Sequence, residues 1–371
     1  MPSEKESIAN PIIQRFTRLM WQSPRLVRAD AETTPAAACE FMPLMSGRSI
    51  GAAMLRTGIA AGFLLAFNLT ALAHDGPPEW AYPVNPPDFK PAPDTGIPRE
   101  VPGSSAAYTL TQIRDLFSAA DWHPGDHQSM PEIVSQGRKP EVRACGVCHR
   151  AGGTGGPENA SLAGLPATYI IQQMADYKSG ARGTSVPERV PVRLMTATGK
   201  AITDPEVEAA AAYFSALKPQ ANLRVIESDV APKSYVFGWH LAATTTGEME
   251  PLGQRIIEVP DNLEHFESRD GRARFTAYVP PGSIERGRLL AAGGEGGKVP
   301  SCAICHGSYL KGLGPMPGIA GRSPSYIVRQ LYDFKSGARA GIGSALMRPT
   351  VENLSVNDII ALAAYAASLS P

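Results

Sequence analysis

An excess of charge of either sign is missing from this chain: 35 basic residues balance 35 acidic ones over 371 positions. No basic tract suited to nucleic acid occurs, so binding must rest on local patches and not on bulk attraction to a polyanion. Long apolar stretches are missing as well. The run Ile59 to Leu72 is short of the roughly 20 residues that span a bilayer. It follows Arg56 and ends in Ala71-Leu72-Ala73, which reads as a cleaved export signal and not as an anchor. The mature chain is then expected to begin at His74, in the periplasm, with 28 basic and 30 acidic residues. Residues upstream of Met45 or Met54 read as an over-long start. Cysteine is scarce, with five in all, and Cys39 has no apolar run before it and is incidental.

The other four cysteines form two copies of one pattern, Cys145-Gly146-Val147-Cys148-His149 and Cys302-Ala303-Ile304-Cys305-His306. A single Cys-x-x-Cys is equally a zinc half-site, a redox disulfide or chance. Two copies, each with its own trailing histidine, argue otherwise. Thiols separated by two residues can add to the two vinyl groups along one haem edge, and the next imidazole then lies beneath the iron. Two covalently bound haem c groups are therefore expected, with His149 and His306 as proximal iron ligands.

Cys145 to Arg182 and Cys302 to Arg339 align without a gap, and 15 of the 38 positions are identical. Lys178-Ser179-Gly180-Ala181-Arg182 recurs whole as Lys335-Ser336-Gly337-Ala338-Arg339. A duplicated unit explains this. Beyond the arginines Met195 aligns with Met347, and Ala211-Ala212-Tyr213 with Ala363-Ala364-Tyr365. A thioether sixth ligand raises the reduction potential and fills the iron, which suits electron transfer. Met more often fills a core; Met174, opposite Leu331, and Met316, opposite Asn159, read that way, whereas Met195 and Met347 are expected to be ligands.

Helices are predicted from Pro166 to Gly180 and from Ser323-Pro324 to Gly337, with Ile170, Met174 and Tyr177, or Ile327, Leu331 and Phe334, on one face. Last helices are predicted from Asp204-Pro205 and from Ser355-Val356-Asn357-Asp358. The first buries Val207, Ala211, Phe214 and Leu217, and the second Ile359, Leu362, Ala366 and Leu369. Each unit is small for a core, and a buried macrocycle would supply the missing apolar mass.

On these residues the chain resembles class I cytochromes c, in particular soluble two-haem cytochromes of the cytochrome c4 type (cytochrome c553 family). Leu162-Ala163-Gly164 with Tyr169-Ile170 and Gln173, and Ile319-Ala320-Gly321 with Tyr326-Ile327 and Gln330, look like that family's segment between haem motif and axial Met. The resemblance implies a first-helix glycine packed on a last-helix aromatic, mapping to Gly137 with Tyr213 and Gly287 with Tyr365. It also implies a proline whose carbonyl accepts from the proximal imidazole; Pro317 fits, whereas the first repeat has Ala160. The stretch Gly293 to Gly297 and the long segment between the repeats are further departures.

Residues His74 to Pro102 are proline-rich and are predicted to form an extended arm. A short amphipathic helix is predicted over Thr109 to Ala119. The turn Asp121-Trp122-His123-Pro124-Gly125-Asp126-His127 reads as a surface loop and not as a metal site, and His240 and His265 have no ligand-like neighbours. Arg224 to Val230, Ile256 to Val259 and Phe275 to Val279 have strand composition, giving a small β-ribbon or extended linker with Trp239 as an exposed interface anchor. Arg182 and Arg339 suit either propionates or helix C-termini.

The expected fold is mainly α, with two tandem class I cytochrome c domains. The divisions are 1–73 upstream extension and signal, 74–128 arm and short helix, 129–220 first domain, 221–280 insert and 281–371 second domain. The expected function is single-electron carriage between a dehydrogenase or quinol-oxidising complex and a terminal oxidase or other carrier, with membrane contact only through such partners. A dedicated cytochrome subunit of a periplasmic dehydrogenase is the first alternative. A di-haem peroxidase or thiosulfate-oxidising enzyme is the second, and it needs an open sixth position, which two matched methionines oppose.

Overall fold

A computed structural model describes residues 76–294 and 299–371. The export segment, Cys39 and part of the Gly-rich stretch after Gly294 lie outside the described residues. The first repeat is approached through α1 (Leu110–Arg114) and α2 (Glu132–Ser135). It contains α3 (Cys145–His149), α4 (Ala167–Ser179), α5 (Val190–Ala201) and α6 (Asp204–Ala216). The middle segment carries β1 (Leu223–Glu227), β2 (Val230–Pro232), β3 (Ser234–Phe237), β4 (His240–Ala243), β5 (Met249–Pro251), β6 (Ile257–Pro260), α7 (Leu263–Glu267) and β7 (Phe275–Val279). The second repeat contains α8 (Ser283–Ala291), α9 (Ala303–His306), α10 (Pro324–Ser336), α11 (Ser344–Val351) and α12 (Val356–Ser368). No helix among the described residues is long and apolar enough to cross a membrane.

Local chemistry sets the helix ends. Helix α4 starts after Pro166 and stops at Gly180, whose φ of 81° is the left-handed conformation glycine adopts freely. In α10 the Ser323 hydroxyl accepts from the Tyr326 amide, and Gly337 closes the helix at φ 79°. Reciprocal capping boxes open both last helices, Thr203 with Glu206 and Ser355 with Asp358. The anticipated apolar faces are turned inward: Val207, Ala211, Phe214 and Leu217 on one side, Ile359, Leu362 and Ala366 on the other.

Elsewhere the expectations change. Helix α1 ends at Arg114 and not at Ala119, because the Asp115 carboxylate accepts from the Phe117 amide at 2.8 Å and turns the chain. The proline-rich arm is not simply extended. A 3-10 turn at Glu79–Ala81 drives Ala81 and Tyr82 into the second repeat's core. There the Tyr82 hydroxyl donates to Asp333 at 2.8 Å, and Arg329 donates to the Ala81 carbonyl at 2.9 Å. The middle segment is a three-stranded sheet, β1 parallel to β7 and β6 antiparallel to it, with ribbons β2/β5 and β3/β4 beside it. Ile256, Ala277 and Val279 join Leu290, Val328 and Ile360 in one core, so this sheet walls the second repeat. The first repeat has its own core of Ile133, Val134, Val142, Ile170, Val207 and Phe214.

The repeats meet across a local two-fold relation. The Gly183 amide donates to the Ala338 carbonyl and the Ala340 amide to the Ala181 carbonyl, each at 2.7 Å. Arg182 donates to Gln173 of its own repeat at 2.8 Å and to Tyr326 and Gln330 of the other at 2.9 and 3.1 Å. Arg339 mirrors it, donating to Gln330 at 3.0 Å and to Tyr169 and Gln173 at 2.9 and 2.7 Å. Both guanidinium groups are buried in this seam.

Candidate functional site

Each Cys-x-x-Cys-His motif folds as a single helical turn, in which residues three and four apart share a face. Cys145, Cys148 and His149 therefore project together from α3, and Cys302, Cys305 and His306 from the turn of α9 and its preceding residue. Gly146 is required in the first turn: a Cβ there would lie 2.9 Å from both the Ala119 side chain and the Val134 carbonyl. The four thiols are free. Burial pushes the Cys145 thiol up to about 12 and raises those of Cys148 and Cys302. None of these three thiols has the depressed pKa that marks a redox-active pair.

Both imidazoles are oriented identically. Nδ1 of His149 donates to the Ala160 carbonyl and Nδ1 of His306 to the Pro317 carbonyl, each at 2.8 Å. The bond fixes the tautomer and leaves Nε2 free as a metal ligand. Burial lowers both imidazole pKa values, keeping the rings neutral. Alanine at 160 costs nothing here, because the acceptor is a backbone carbonyl. Among the described residues no cluster of three or more His, Cys, Asp or Glu side chains forms a separate metal cage.

Met195 sits half-buried on α5 and Met347 half-buried on α11, in each repeat between the central and last helices. Helix α5 lies close on α4 because residue 199 is glycine; a Cβ there would be 3.0 Å from the Lys178 amide and Tyr177. The structure places Gly287 against the last helix as anticipated, where an added Cβ would fall 2.7 Å from the Tyr365 Cβ and 1.9 Å from the Ala361 carbonyl oxygen. The matching assignment of Gly137 to Tyr213 is corrected. Gly137 follows the one-turn α2 at φ 68° and abuts Val142 and Ala144, while Tyr213 donates to the Ala151 carbonyl at 2.8 Å. Trp239 is likewise no exposed anchor. It is half-buried, its amide held by Asn85 at 3.2 Å and its carbonyl by Arg189 at 2.8 Å. His123 and His127 pair with Asp270 and Asp121 at 3.0 and 3.1 Å, bracing the loop.

What the sequence reading missed is the cover over the first motif. Arg150, 2% exposed, faces Glu158 at 3.6 Å and lies over the Phe266 ring at 5.0 Å. Its φ is 67°, matching the 74° of its repeat partner Gly307, so an arginine is held where the second repeat uses glycine. Arg269 donates to the Val147 carbonyl at 2.7 Å and to the Ile113 carbonyl at 3.2 Å, tying the middle segment and α1 to the motif. The one available signal was that mismatch of Arg150 with Gly307.

A single-turn thiol pair with a carbonyl-braced imidazole is the attachment chemistry of haem c, and it defines a haem-binding electron-transfer protein. The cytochrome c family profile matches residues 134–218. A cytochrome c-554(548) from Halomonas halodenitrificans is 39% identical over 79 residues, 21% of this chain and 94% of that one. The thiosulfate dehydrogenase electron acceptor of Thiomonas intermedia (strain K12) is 27% identical over 237 residues, 62% of this chain and 82% of that protein. Cytochrome c4 of Azotobacter vinelandii is 27% identical over 245 residues, covering 64% and 89%. The chain belongs to the cytochrome c family, as a class I c-type cytochrome.

Proposed function

We propose that the protein is a periplasmic di-haem cytochrome carrying single electrons from a dehydrogenase or quinol-oxidising complex to a terminal oxidase or another carrier. The observation that carries this reading is the duplicated turn, with both imidazoles braced at 2.8 Å by the carbonyl eleven residues onward. Cys145, Cys148, His149 and Met195 would hold one haem, and Cys302, Cys305, His306 and Met347 the other, in tandem domains at 129–220 and 281–371. Haem c supplies an iron that exchanges one electron without bond making. The protein's part is to exclude water, fix the imidazole tautomer and present a soft thioether. With both iron faces filled by side chains, substrate has no place to coordinate, so the protein acts as a carrier and not as an enzyme. Export by a signal cleaved after Ala73 accords with the apolar run before it.

Intact mass after denaturation is expected to exceed the processed polypeptide by two haem masses; a single addition overturns the reading. Met195→Ala and Met347→Ala are each expected to remove about half of the oxidised methionine-to-iron absorption band. Survival of the full band in both variants overturns the ligand assignment. The similarity to a thiosulfate dehydrogenase electron acceptor favours a second reading, a cytochrome dedicated to one dehydrogenase, which a stable, salt-resistant complex on co-purification would establish.

A further inference from the structure

Equivalent surfaces of the two repeats differ in access. Val147 is fully buried, whereas its repeat partner Ile304 is 69% exposed. The first motif is covered by α1, by the Arg269 guanidinium on the Val147 carbonyl, and by Phe266 over Arg150. Among the described residues nothing comparable lies over the second. Tyr309 is 75% and Leu313 58% exposed, and they adjoin Ile304 in one loop. Between residues 299 and 332, and again between 340 and 351, there is no Asp or Glu; Arg348 is exposed, and the exposed Lys311 donates to the Pro371 carbonyl oxygen at 3.2 Å.

We propose that the protein exchanges electrons with its partners through the second repeat alone, by docking a redox protein whose contact face has an apolar centre and a rim of carboxylates. The inference rests on the di-haem reading. His306 and Met347, as ligands of one iron, make the Ile304–Leu313 loop and the start of α11 two walls of one crevice. The apolar loop then supplies contact area and Arg348 the steering, while the covered first repeat serves as an inner store that fills and empties through its neighbour. The cover is built by residues outside the duplicated unit, so the one-sidedness is a property of this chain's additions.

The test uses reduced holoprotein with both haems and two inorganic oxidants of opposite charge, hexacyanoferrate(III) and tris(1,10-phenanthroline)cobalt(III). Each takes one electron per complex. At low salt the anion is expected to react faster, and Ile304→Glu with Arg348→Glu to slow it about tenfold. Arg193→Glu with Lys139→Glu, two exposed cations of the first repeat, is expected to leave the rate unchanged. Hydroxyl-radical labelling is expected to mark Ile304 and Tyr309 and to spare Val147. Equal slowing by both sets of variants, preference for the cobalt complex, or equal labelling of Val147 and Ile304 overturns the proposal. So does a concentration-dependent dimer that protects Ile304, since the occupant would then be a second copy. If two haem masses and normal redox spectra accompany any of these results, the single-port inference alone fails; absence of the haems overturns the function itself.

Discussion

Val147 and Ile304 occupy the same position in two copies of one motif, and their surroundings separate them almost completely. The helical turn, the braced imidazole and the capped last helix recur in both repeats, because each is dictated by residues within a few positions of one another. Access differs because it is dictated by chain outside the duplication: α1 and α7 close over the first motif, while the arm and the sheet support the second repeat from within its core. Duplication thus preserved the local chemistry, and the added segments made the copies unequal.

The largest effect confined to one repeat is expected at Gly287. An alanine there would place its Cβ 1.9 Å from the Ala361 carbonyl oxygen, and forcing α8 and α12 apart is expected to cost about 3 kcal/mol. Urea unfolding should show the loss, and mass spectrometry should show haem missing from the second repeat, with Val147 still protected. Loss of protection at Val147 would mean that the two repeats share one fate.

Acid should act on the other side. His240 is buried against Phe266, with ring centroids 4.2 Å apart, and burial pushes its pKa down to about 4. The unfolded chain takes up this proton near pH 6.5, before the folded protein does, so stability is full above that value. It is expected to fall by up to about 3 kcal/mol as pH drops toward 4. Thermal unfolding across this window should give that slope, with His240→Leu flattening it, and labelling of Val147 should rise before any change at Ile304.

The smallest effect tests what the repeats share. Thr203→Ala and Ser355→Ala each remove the hydroxyl half of a capping box and are expected to cost about 1 kcal/mol apiece. Chemical denaturation of the two variants should give matching losses. A clear inequality would show that the added segments reach into the helices themselves.

The same division explains what could be read from the sequence. Helix starts at Pro166, Ser323, Asp204 and Ser355 and stops at Gly180 and Gly337 were legible because caps are local, and the imidazole braces were implied by the family resemblance. The cover was not, since Arg269 meets Val147 across 122 residues and Arg150 meets Phe266 across 116. No periodicity encodes such a contact. The arm was misjudged for a related reason: its prolines specify an extended backbone but are silent about Tyr82 reaching Asp333. Gly137 was assigned to a helix crossing by analogy with Gly287, yet α2 ends at Ser135, so Gly137 falls beyond the helix that packs there.

The seam between the repeats bears on ancestry. Arg182 reaches Tyr326 and Gln330, and Arg339 reaches Tyr169 and Gln173, so the contact maps onto itself when the copies are exchanged. Self-complementarity of that kind is what a pair of identical subunits produces. A freestanding ancestor of one repeat could have met its twin through these same side chains, and gene fusion would then have joined partners that were already paired. On that history the joining segment was free to elaborate, because none of these side-chain contacts involves it.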